Sequence, residues 1–276
     1  MAPDVIHMTG RRRPIEEVGL AVREFGRSLA SYRLWGALAL HDVLGRYRGS
    51  LLGPLWITLA TSSLIVGMGL LYSQLFDSPM DEYIPYLAAS IVIWGFLSSA
   101  IVESCDAFTG SSTLVKQTPL PMLVFVWRTL WRALLIFAHQ LPVIAVVMLY
   151  FNRFLDINFP LALVGILLIG LNLAWIAIVL SIVAARFRDV PQVVISLMQV
   201  AMFLTPVFWS AEGIRSGRFI LDANPFWHLL EVGRAPWLGQ IPDMHHYVVA
   251  TTILLGGWAF AAILYTVVQR RIVHYV

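Results

Sequence analysis

Six apolar stretches, each about as long as a membrane-crossing helix, constrain the fold of this 276-residue chain most strongly. A helix needs about 20 predominantly apolar residues to cross a bilayer. The six stretches cover residues 54–76, 84–102, 121–151, 159–185, 190–209 and 247–268. Charged residues make up only 13% of the chain, whereas soluble domains carry about 25%. The sequence therefore predicts an all-α integral membrane protein with six transmembrane helices in residues 54–276.

The distribution of basic residues predicts the orientation of these spans. Arginine supplies 18 of the 19 basic residues, and eight arginines precede the first span: Arg11, Arg12, Arg13, Arg23, Arg27, Arg33, Arg46 and Arg48. With six spans, the loop around Arg188 and the tail at 270–271 lie on the same side as these eight. The loop at 77–83 lies on the opposite side and is purely acidic. The positive-inside rule then places both termini in the cytoplasm.

Charge and cysteine content exclude several other classes of protein. The net charge of +3 and the pI near 9.2 do not indicate nucleic-acid binding, because the basic residues flank apolar stretches and form no solvated patch. A single cysteine, Cys105, excludes an internal disulfide. Residues 1–33 contain no apolar core of a signal peptide, so we expect no cleaved leader.

Two helices are predicted before the first span. In the cytoplasmic segment 1–33, a helix starts at Pro14, and its apolar residues recur every three or four positions: Ile15, Val18, Val22, Phe25 and Leu29. Residues 34–53 are predicted as an amphipathic helix, about 34–48, and a turn. This helix is too short and too charged to span, so it should lie in the membrane interface. Coating the headgroups and docking a partner are both compatible with it.

The side chains of the interfacial helix divide into two faces. The apolar side holds Leu40, Val43, Leu44 and Tyr47. Asp42 and Arg46 stand at i, i+4 on the other side and are predicted to pair. Gly49 and Gly53 permit a sharp turn, and Pro54 suits the first turn of the following span.

Residues 210–246 are predicted to form one or two short helices that dip back toward the membrane from the outer side. This segment is too apolar for a plain loop and too short for a domain. Asn224-Pro225 is predicted to break it.

Polar stripes on two spans indicate either a transport path or helix packing. On the fifth span Gln192, Ser196, Gln199 and Phe203 share one helix face. On the first span the polar side includes Thr58, Thr61, Ser62 and Tyr72. Polar side chains are unfavourable against lipid, so each stripe should face another helix or a water-filled path.

Arg128 and Arg132 stand at i, i+4 near the inner end of the third span. Charges inside a membrane segment are costly and by default suggest a function. One hypothesis is that they hold an anionic group such as a lipid-linked diphosphate. The alternative is that they reach the headgroups or pair with Glu103 or Asp106.

Signals of enzymatic chemistry are weak throughout the sequence. No G-x-x-x-x-G-K-[ST] loop is present, so the chain should hydrolyse no nucleotide by itself. His245 and His246 are adjacent, so one helix face does not present both to a metal. We predict no catalytic, cofactor-binding or metal site.

Four features of the chain resemble the permease subunit of ABC type-2 transporters, in the branch that exports O-antigen, teichoic acid or capsule. These are the stretch from Arg46 to Trp56 after an interfacial helix, the Ala-Arg-Phe-Arg-Asp-Val loop at 185–190, the Asn224-Pro225 outer segment and the order of six spans. The resemblance covers most of the chain from about residue 33 onward.

This resemblance implies a homodimer in the bacterial cytoplasmic (inner) membrane, with two copies of a separate ABC ATPase that binds ATP and Mg²⁺. It implies that spans one and five line a channel at the dimer interface. The residues it assigns to coupling with the ATPase are Asp42, Arg46, Arg48, Arg186, Arg188 and Asp189. Those it assigns to an outer gate are Asn224, Pro225, Phe226 and Trp227.

The function expected is ATP-driven export of a lipid-linked polysaccharide. Export of a smaller drug or lipid is the alternative within the same fold. A membrane-embedded glycosyl- or phosphotransferase is an alternative from another class, although Glu103 and Asp106 are its only close inner carboxylates after the first span. A passive channel would need no partner.

Overall fold

The computed structural model describes residues 14–53, 55–75, 78–117, 120–211, 218–269 and 271–275. The described part therefore excludes Arg11, Arg12, Arg13 and Pro54, and it excludes positions 76, 77, 212–217 and 270 of the ranges given above. The described part contains no strand. Its α-helices are α1 (Pro14–Ala30), α2 (Tyr32–Arg46), α3 (Leu55–Leu75), α4 (Met80–Ser104), α5 (Ser112–Gln117), α6 (Leu123–Tyr150), α7 (Phe159–Arg186), α8 (Val190–Leu204), α9 (Arg218–Asp222), α10 (Pro225–Arg234), α11 (Met244–Val268) and α12 (Ile272–Tyr275).

Among the described helices, five are long and apolar enough to cross a membrane: α3, α4, α6, α7 and α11. Their bounds agree with five of the predicted spans to within a few residues, and the all-α membrane fold is confirmed. α8 has 15 residues and is about 22 Å long, shorter than the roughly 30 Å hydrocarbon core. The number of crossings therefore stays a prediction.

α8 ends at Leu204, five residues before the predicted end of the fifth span. Thr205 is extended (φ −98°, ψ 139°), and it precedes Pro206. A proline disfavours helical geometry in the residue before it and has no N–H to continue the helix. The chain from Thr205 to Trp209 is consequently irregular.

α4 lies at the centre of the bundle and packs against α3, α6, α7, α8 and α10. Small residues such as Ala88, Ala89 and Ala100 are fully buried along it, and small side chains allow helix axes to approach closely. α3 is the opposite case: most of its surface is exposed, including Leu59, Leu64 and Leu71. A large apolar surface of α3 is thus free to meet lipid or another chain.

The two N-terminal helices dock on the end of the bundle where α4 ends and α6 begins. α1 contacts α6 and α11: Trp127 Nε1 donates to Ser28 Oγ at 2.9 Å, and Gln269 Nε2 donates to Glu17 O at 3.1 Å. The predicted helix from Pro14 is confirmed, but Val18, Val22 and Leu29 are exposed, whereas Ala21 and Ser28 are buried.

The second helix, α2, begins at Tyr32, two residues before the predicted start, and lies along α6. Its buried residues are Ala39 and Val43, while Leu40 and Leu44 are exposed. Only part of the predicted apolar face therefore meets the bundle.

In the described part of the segment 210–246, α9 and α10 are two short helices, with the predicted break at Asn224-Pro225 between them. Asn224 caps α10, because its Oδ1 accepts from Phe226 N at 2.9 Å. α10 then enters the bundle and packs against α4, α7 and α11. Its residues Trp227 to Leu230 are all buried.

α10 sits directly against Gly165 of α7. A Cβ atom on Gly165 would lie 2.3 Å from Val232 O, a backbone atom that cannot move alone. The absence of a side chain at this position allows the close approach of α7 to α10.

We therefore expect Gly165→Ala to displace α10 and lower the free energy of unfolding by about 1–3 kcal/mol, as overpacking does. Gly170→Ala is the matched control on the same helix, because nothing lies within 4 Å of its Cβ position. Tryptophan-fluorescence melting of both variants in detergent checks this. Equal melting temperatures for the two variants would contradict it.

Candidate functional site

Ion pairs connect α2 with α4 and α6. Arg128 donates to both carboxylate oxygens of Asp42, from Nε at 2.7 Å and from Nη2 at 2.5 Å. Arg132 reaches Asp42 from Nη1 at 3.2 Å and Glu103 from Nε at 2.9 Å. Arg46 Nη2 lies 3.4 Å from Glu103 Oε1. A fork-like Arg–carboxylate contact is among the strongest polar contacts in proteins, so this network fixes α2 on the bundle.

The spacing of the two arginines explains how both reach Asp42. Residues at i and i+4 lie one above the other on a helix face, and this face of α6 meets α2. The side chains of Asp42, Arg128 and Arg132 are only 16–18% exposed. Burial alone would raise the pKa of Asp42, but the hydrogen bonds and charges of Arg128 and Arg132 outweigh it and hold that pKa below its ordinary value. The carboxylate therefore stays ionised at neutral pH.

This network corrects one prediction and resolves part of another. The predicted Asp42–Arg46 pair is wrong, because Asp42 is occupied by the two arginines of α6 and Arg46 contacts Glu103. The alternative that Arg132 pairs with Glu103 is confirmed. Arg128 pairs with Asp42, a partner that the sequence did not indicate. A lipid-diphosphate role for Arg128 and Arg132 stays a prediction, and the ligand would have to compete with carboxylates already in place.

The other predicted coupling residues are exposed at the same end of the bundle. Arg48 follows α2, while Arg186, Arg188 and Asp189 occupy the tight connection between α7 and α8. The Arg186 guanidinium lies over the rings of Phe187 (5.3 Å) and Tyr275 (5.5 Å). These contacts place the α7–α8 connection beside α12 and leave Arg188 and Asp189 at the surface.

The polar stripe of α8 is exposed along its whole length. Gln192, Ser196, Gln199 and Phe203 all face outward, and Phe203 is 67% exposed. The opposite side of the helix carries the buried residues Val194 and Met198. Among the residues that the structure describes, no other helix therefore covers the stripe.

The polar side of α3 behaves differently. Thr58 Oγ1 donates to His139 O at 3.0 Å, and Thr61 Oγ1 accepts from Gln140 Nε2 at 3.5 Å. Both partners belong to α6, so packing accounts for these two threonines. Ser62 and Tyr72 are half-buried on the same helix. A channel-lining role for any of these four residues stays a prediction.

The predicted gate residues connect α10 to the end of α8. Asn224 Nδ2 donates to Thr205 Oγ1 at 2.9 Å and to Leu204 O at 3.3 Å. Phe226 packs edge-to-face on Trp94 of α4 at 5.8 Å between ring centroids. Pro225 begins α10 and Trp227 is buried. Asn224 and Phe226 thus hold α10 against α8 and α4.

A buried arginine that no sequence pattern singled out organises the end of the bundle where α4 begins. Arg234 is 3% exposed and forms an ion pair with Glu231. Its Nη1 donates to Pro206 O at 2.6 Å and to Ser90 Oγ at 3.0 Å, and its guanidinium lies 4.2 Å from the Tyr86 ring centroid. In the sequence, the i, i+3 spacing of Glu231 and Arg234 could have indicated this ion pair.

Two tyrosines of α4 complete this arrangement around the irregular stretch after α8. Tyr86 OH lies within hydrogen-bond distance of Pro206 O (2.8 Å) and Trp209 O (2.6 Å), and Tyr83 OH donates to Phe208 O at 2.6 Å. Irregular backbone is tolerated at membrane depth only where protein or water satisfies it. Arg234, Tyr83 and Tyr86 satisfy it here.

Histidines join the outer helices to each other. His228 Nε2 lies 3.0 Å from Asp222 O, and its Nδ1 lies 2.9 Å from His246 Nδ1. α9, α10 and α11 are therefore connected through one buried imidazole. Within the described residues, no group of three His, Cys, Asp or Glu side chains is placed to hold a metal ion.

The ion-pair network predicts the effect of removing one carboxylate. Asp42→Asn leaves two partly buried guanidiniums without their shared anion, and we expect a loss of about 1.5–3 kcal/mol of unfolding free energy. Asp106→Asn is the control, because the Asp106 side chain is exposed and accepts a long hydrogen bond, at 3.4 Å, from the nearby Thr109. Melting temperatures in detergent measure both. A wild-type melting temperature for Asp42→Asn would contradict the role given to this network.

Comparisons with known proteins agree with this architecture. The model of the ABC-2 type transporter family matches residues 33–236. The O-antigen export system permease protein RfbA of Myxococcus xanthus is 26% identical over 250 residues, which cover 86% of this chain and 94% of that protein. The family match spans most of the chain, from the start of α2 to the end of α10. The chain therefore belongs to the ABC-2 type transporter family, as a multi-pass membrane transport subunit.

Proposed function

We propose that the chain is the permease subunit of an ATP-driven exporter that moves a lipid-linked polysaccharide of the O-antigen type across the bacterial cytoplasmic membrane. The observation that carries the proposal is the exposed polar stripe of α8. The name of the Myxococcus xanthus relative supports the class of substrate. Both termini lie in the cytoplasm in this arrangement, as the arginine distribution predicts.

The stripe supports a homodimer. Gln192, Ser196 and Gln199 are unfavourable in contact with lipid tails, and most of α3 is also exposed. Two copies related by a two-fold axis would turn these surfaces toward each other. The polar side chains would then border a path between the protomers, and the apolar surface of α3 would be covered.

The same stripe suits a glycan. Amide and hydroxyl groups donate to and accept from sugar hydroxyls, and Phe203 offers an aromatic plane on which the C–H face of a pyranose ring can lie. Phe203 stands at the last turn of α8, next to the irregular stretch that leads to the outer end. The order along α8 is thus polar groups first and an aromatic ring near the exit.

An apolar groove beside α8 supports a lipid-linked substrate. A cavity of about 520 Å³ is lined by residues of α4, α7, α8, α9 and α10, among them Ile176, Leu197 and Leu204. Hydrocarbon is favourable in such a groove. The lipid chain of the carrier would lie here while the glycan follows the polar stripe.

Energy would enter from two copies of a separate ABC ATPase, which would bind ATP and Mg²⁺. α2 and the connection around Arg188 form the contact surface for it. A force on α2 reaches α4 and α6 directly, because Asp42 and Glu103 tie these helices together. A force on Arg188 reaches α8 directly, because α8 starts two residues later.

A bulky side chain within the polar stripe of α8 should block the path. We expect Ser196→Trp to reduce surface polysaccharide at least about tenfold in a strain that lacks the native permease, the effect of about 1.4 kcal/mol on the transport barrier. Thr252→Trp is the matched control: both side chains are exposed and donate to the carbonyl four residues earlier, at 3.0 Å for Ser196 and 2.8 Å for Thr252. Normal export by Ser196→Trp would remove the stripe from the path.

Charge reversal at the coupling surface should separate folding from transport. Arg188→Glu should export at least about tenfold less and should no longer couple ATP hydrolysis to export. Its melting temperature should not change, because the side chain is exposed. Arg23→Glu, an exposed arginine of α1 at the same end, is the control. Undiminished export by Arg188→Glu would exclude the loop from coupling.

A further inference from the structure

A polar cavity of about 830 Å³ opens at the outer end of the bundle. Its walls come from the start of α4, the stretch after α8, α10 and the beginning of α11. The volume falls in the range of about 300–1,000 Å³ typical of small-molecule sites. No step of the transport path described above uses this cavity.

The lining combines flat aromatic surfaces with charged groups. Tyr86, Trp209 and Trp227 supply rings, Glu82 and Glu231 supply carboxylates, and Arg153 and Arg218 supply guanidiniums. A carboxylate can accept from two neighbouring hydroxyls, a guanidinium can donate to two oxygens, and an aromatic plane can cover a C–H face. This combination suits a pyranose ring, and it contrasts with the apolar groove beside α8.

The cavity wall is already rigid. The Glu231–Arg234 pair is held by Ser90, by Pro206 O and by the Tyr86 ring. Polar groups that are fixed before binding lose little entropy when a ligand arrives. Two buried donors among the wall residues, Arg234 Nε and Trp227 Nε1, have no hydrogen-bond partner in the described part of the chain, which is unusual for buried polar atoms.

The position of the cavity connects it to α8. Trp209 Nε1 donates to Phe203 O at 3.2 Å, so a cavity wall residue is bonded to the last turn of the stripe-bearing helix. A chain of sugars that moves along the stripe and past Phe203 would arrive next to Trp209.

We propose that this outer cavity binds a sugar residue of the exported glycan as it leaves the path along α8. The inference rests on the proposed function and adds a binding site to it. By binding the leading sugars on the outer side, the cavity opposes the return of the glycan into the path between two rounds of ATP hydrolysis.

The test is direct binding of the glycan to the full-length chain in nanodiscs. The probe is the oligosaccharide released by mild acid from the lipid-linked glycan that accumulates in cells deleted for this permease, and calorimetry gives the Kd. Two pairs of variants are compared. Glu82→Gln is matched by Asp81→Asn, since both residues are exposed in the first turn of α4 and only Glu82 lines the cavity. Trp209→Leu removes an aromatic plane that Trp209→Phe keeps.

We expect Glu82→Gln and Trp209→Leu to weaken binding about tenfold, and Asp81→Asn and Trp209→Phe to stay within about twofold of wild type. Equal Kd values for all four variants, or no measurable binding by the wild-type chain, would overturn the inference alone. A deletion strain that accumulates no lipid-linked glycan would overturn the proposed function and this inference with it.

Discussion

The backbone that α8 leaves unpaired when it ends at Leu204 determines how the outer half of the molecule is built. Buried carbonyl groups cost several kcal/mol each if nothing bonds them. Tyr83 and Tyr86 of α4 and Arg234 of α10 satisfy the carbonyls of Pro206, Phe208 and Trp209. The arginine is itself neutralised by Glu231. α4, α8 and α10 are thereby joined into one unit.

A second polar network joins helices at the opposite end of the bundle. Asp42 and Glu103 bind the arginines of α6, so ion pairs connect α2, α4 and α6. α8 has no part in that network, and its beginning is exposed around Arg188. A short helix that follows an exposed loop at one end and is bonded to the irregular stretch 205–209 at the other suits the transmission of motion. In the proposed exporter, this places the moving element next to the substrate path.

The sequence predicted most of the architecture and part of the candidate site. Long apolar runs and the Asn224-Pro225 break are local signals, and the helices follow them. The partner of Asp42 was missed because it lies 86 positions away, and helical spacing reports only neighbours on one helix. Pro206 in the sequence indicated that α8 ends early, but a span predicted from hydropathy alone does not take a proline into account. The sequence also did not show which of the two polar stripes packs inside the chain. Thr58 and Thr61 contact His139 and Gln140 of α6, and helical periodicity does not reveal contacts between two different helices.

In the proposed exporter, this chain works as a pair beneath which a separate ATPase docks. Native mass spectrometry of the tagged chain, extracted in mild detergents, tests it most directly. We expect a complex with two copies of this chain and two copies of a protein that carries a G-x-x-x-x-G-K-[ST] loop and hydrolyses ATP. A homogeneous single chain with no such partner, in every mild detergent tried, would contradict it.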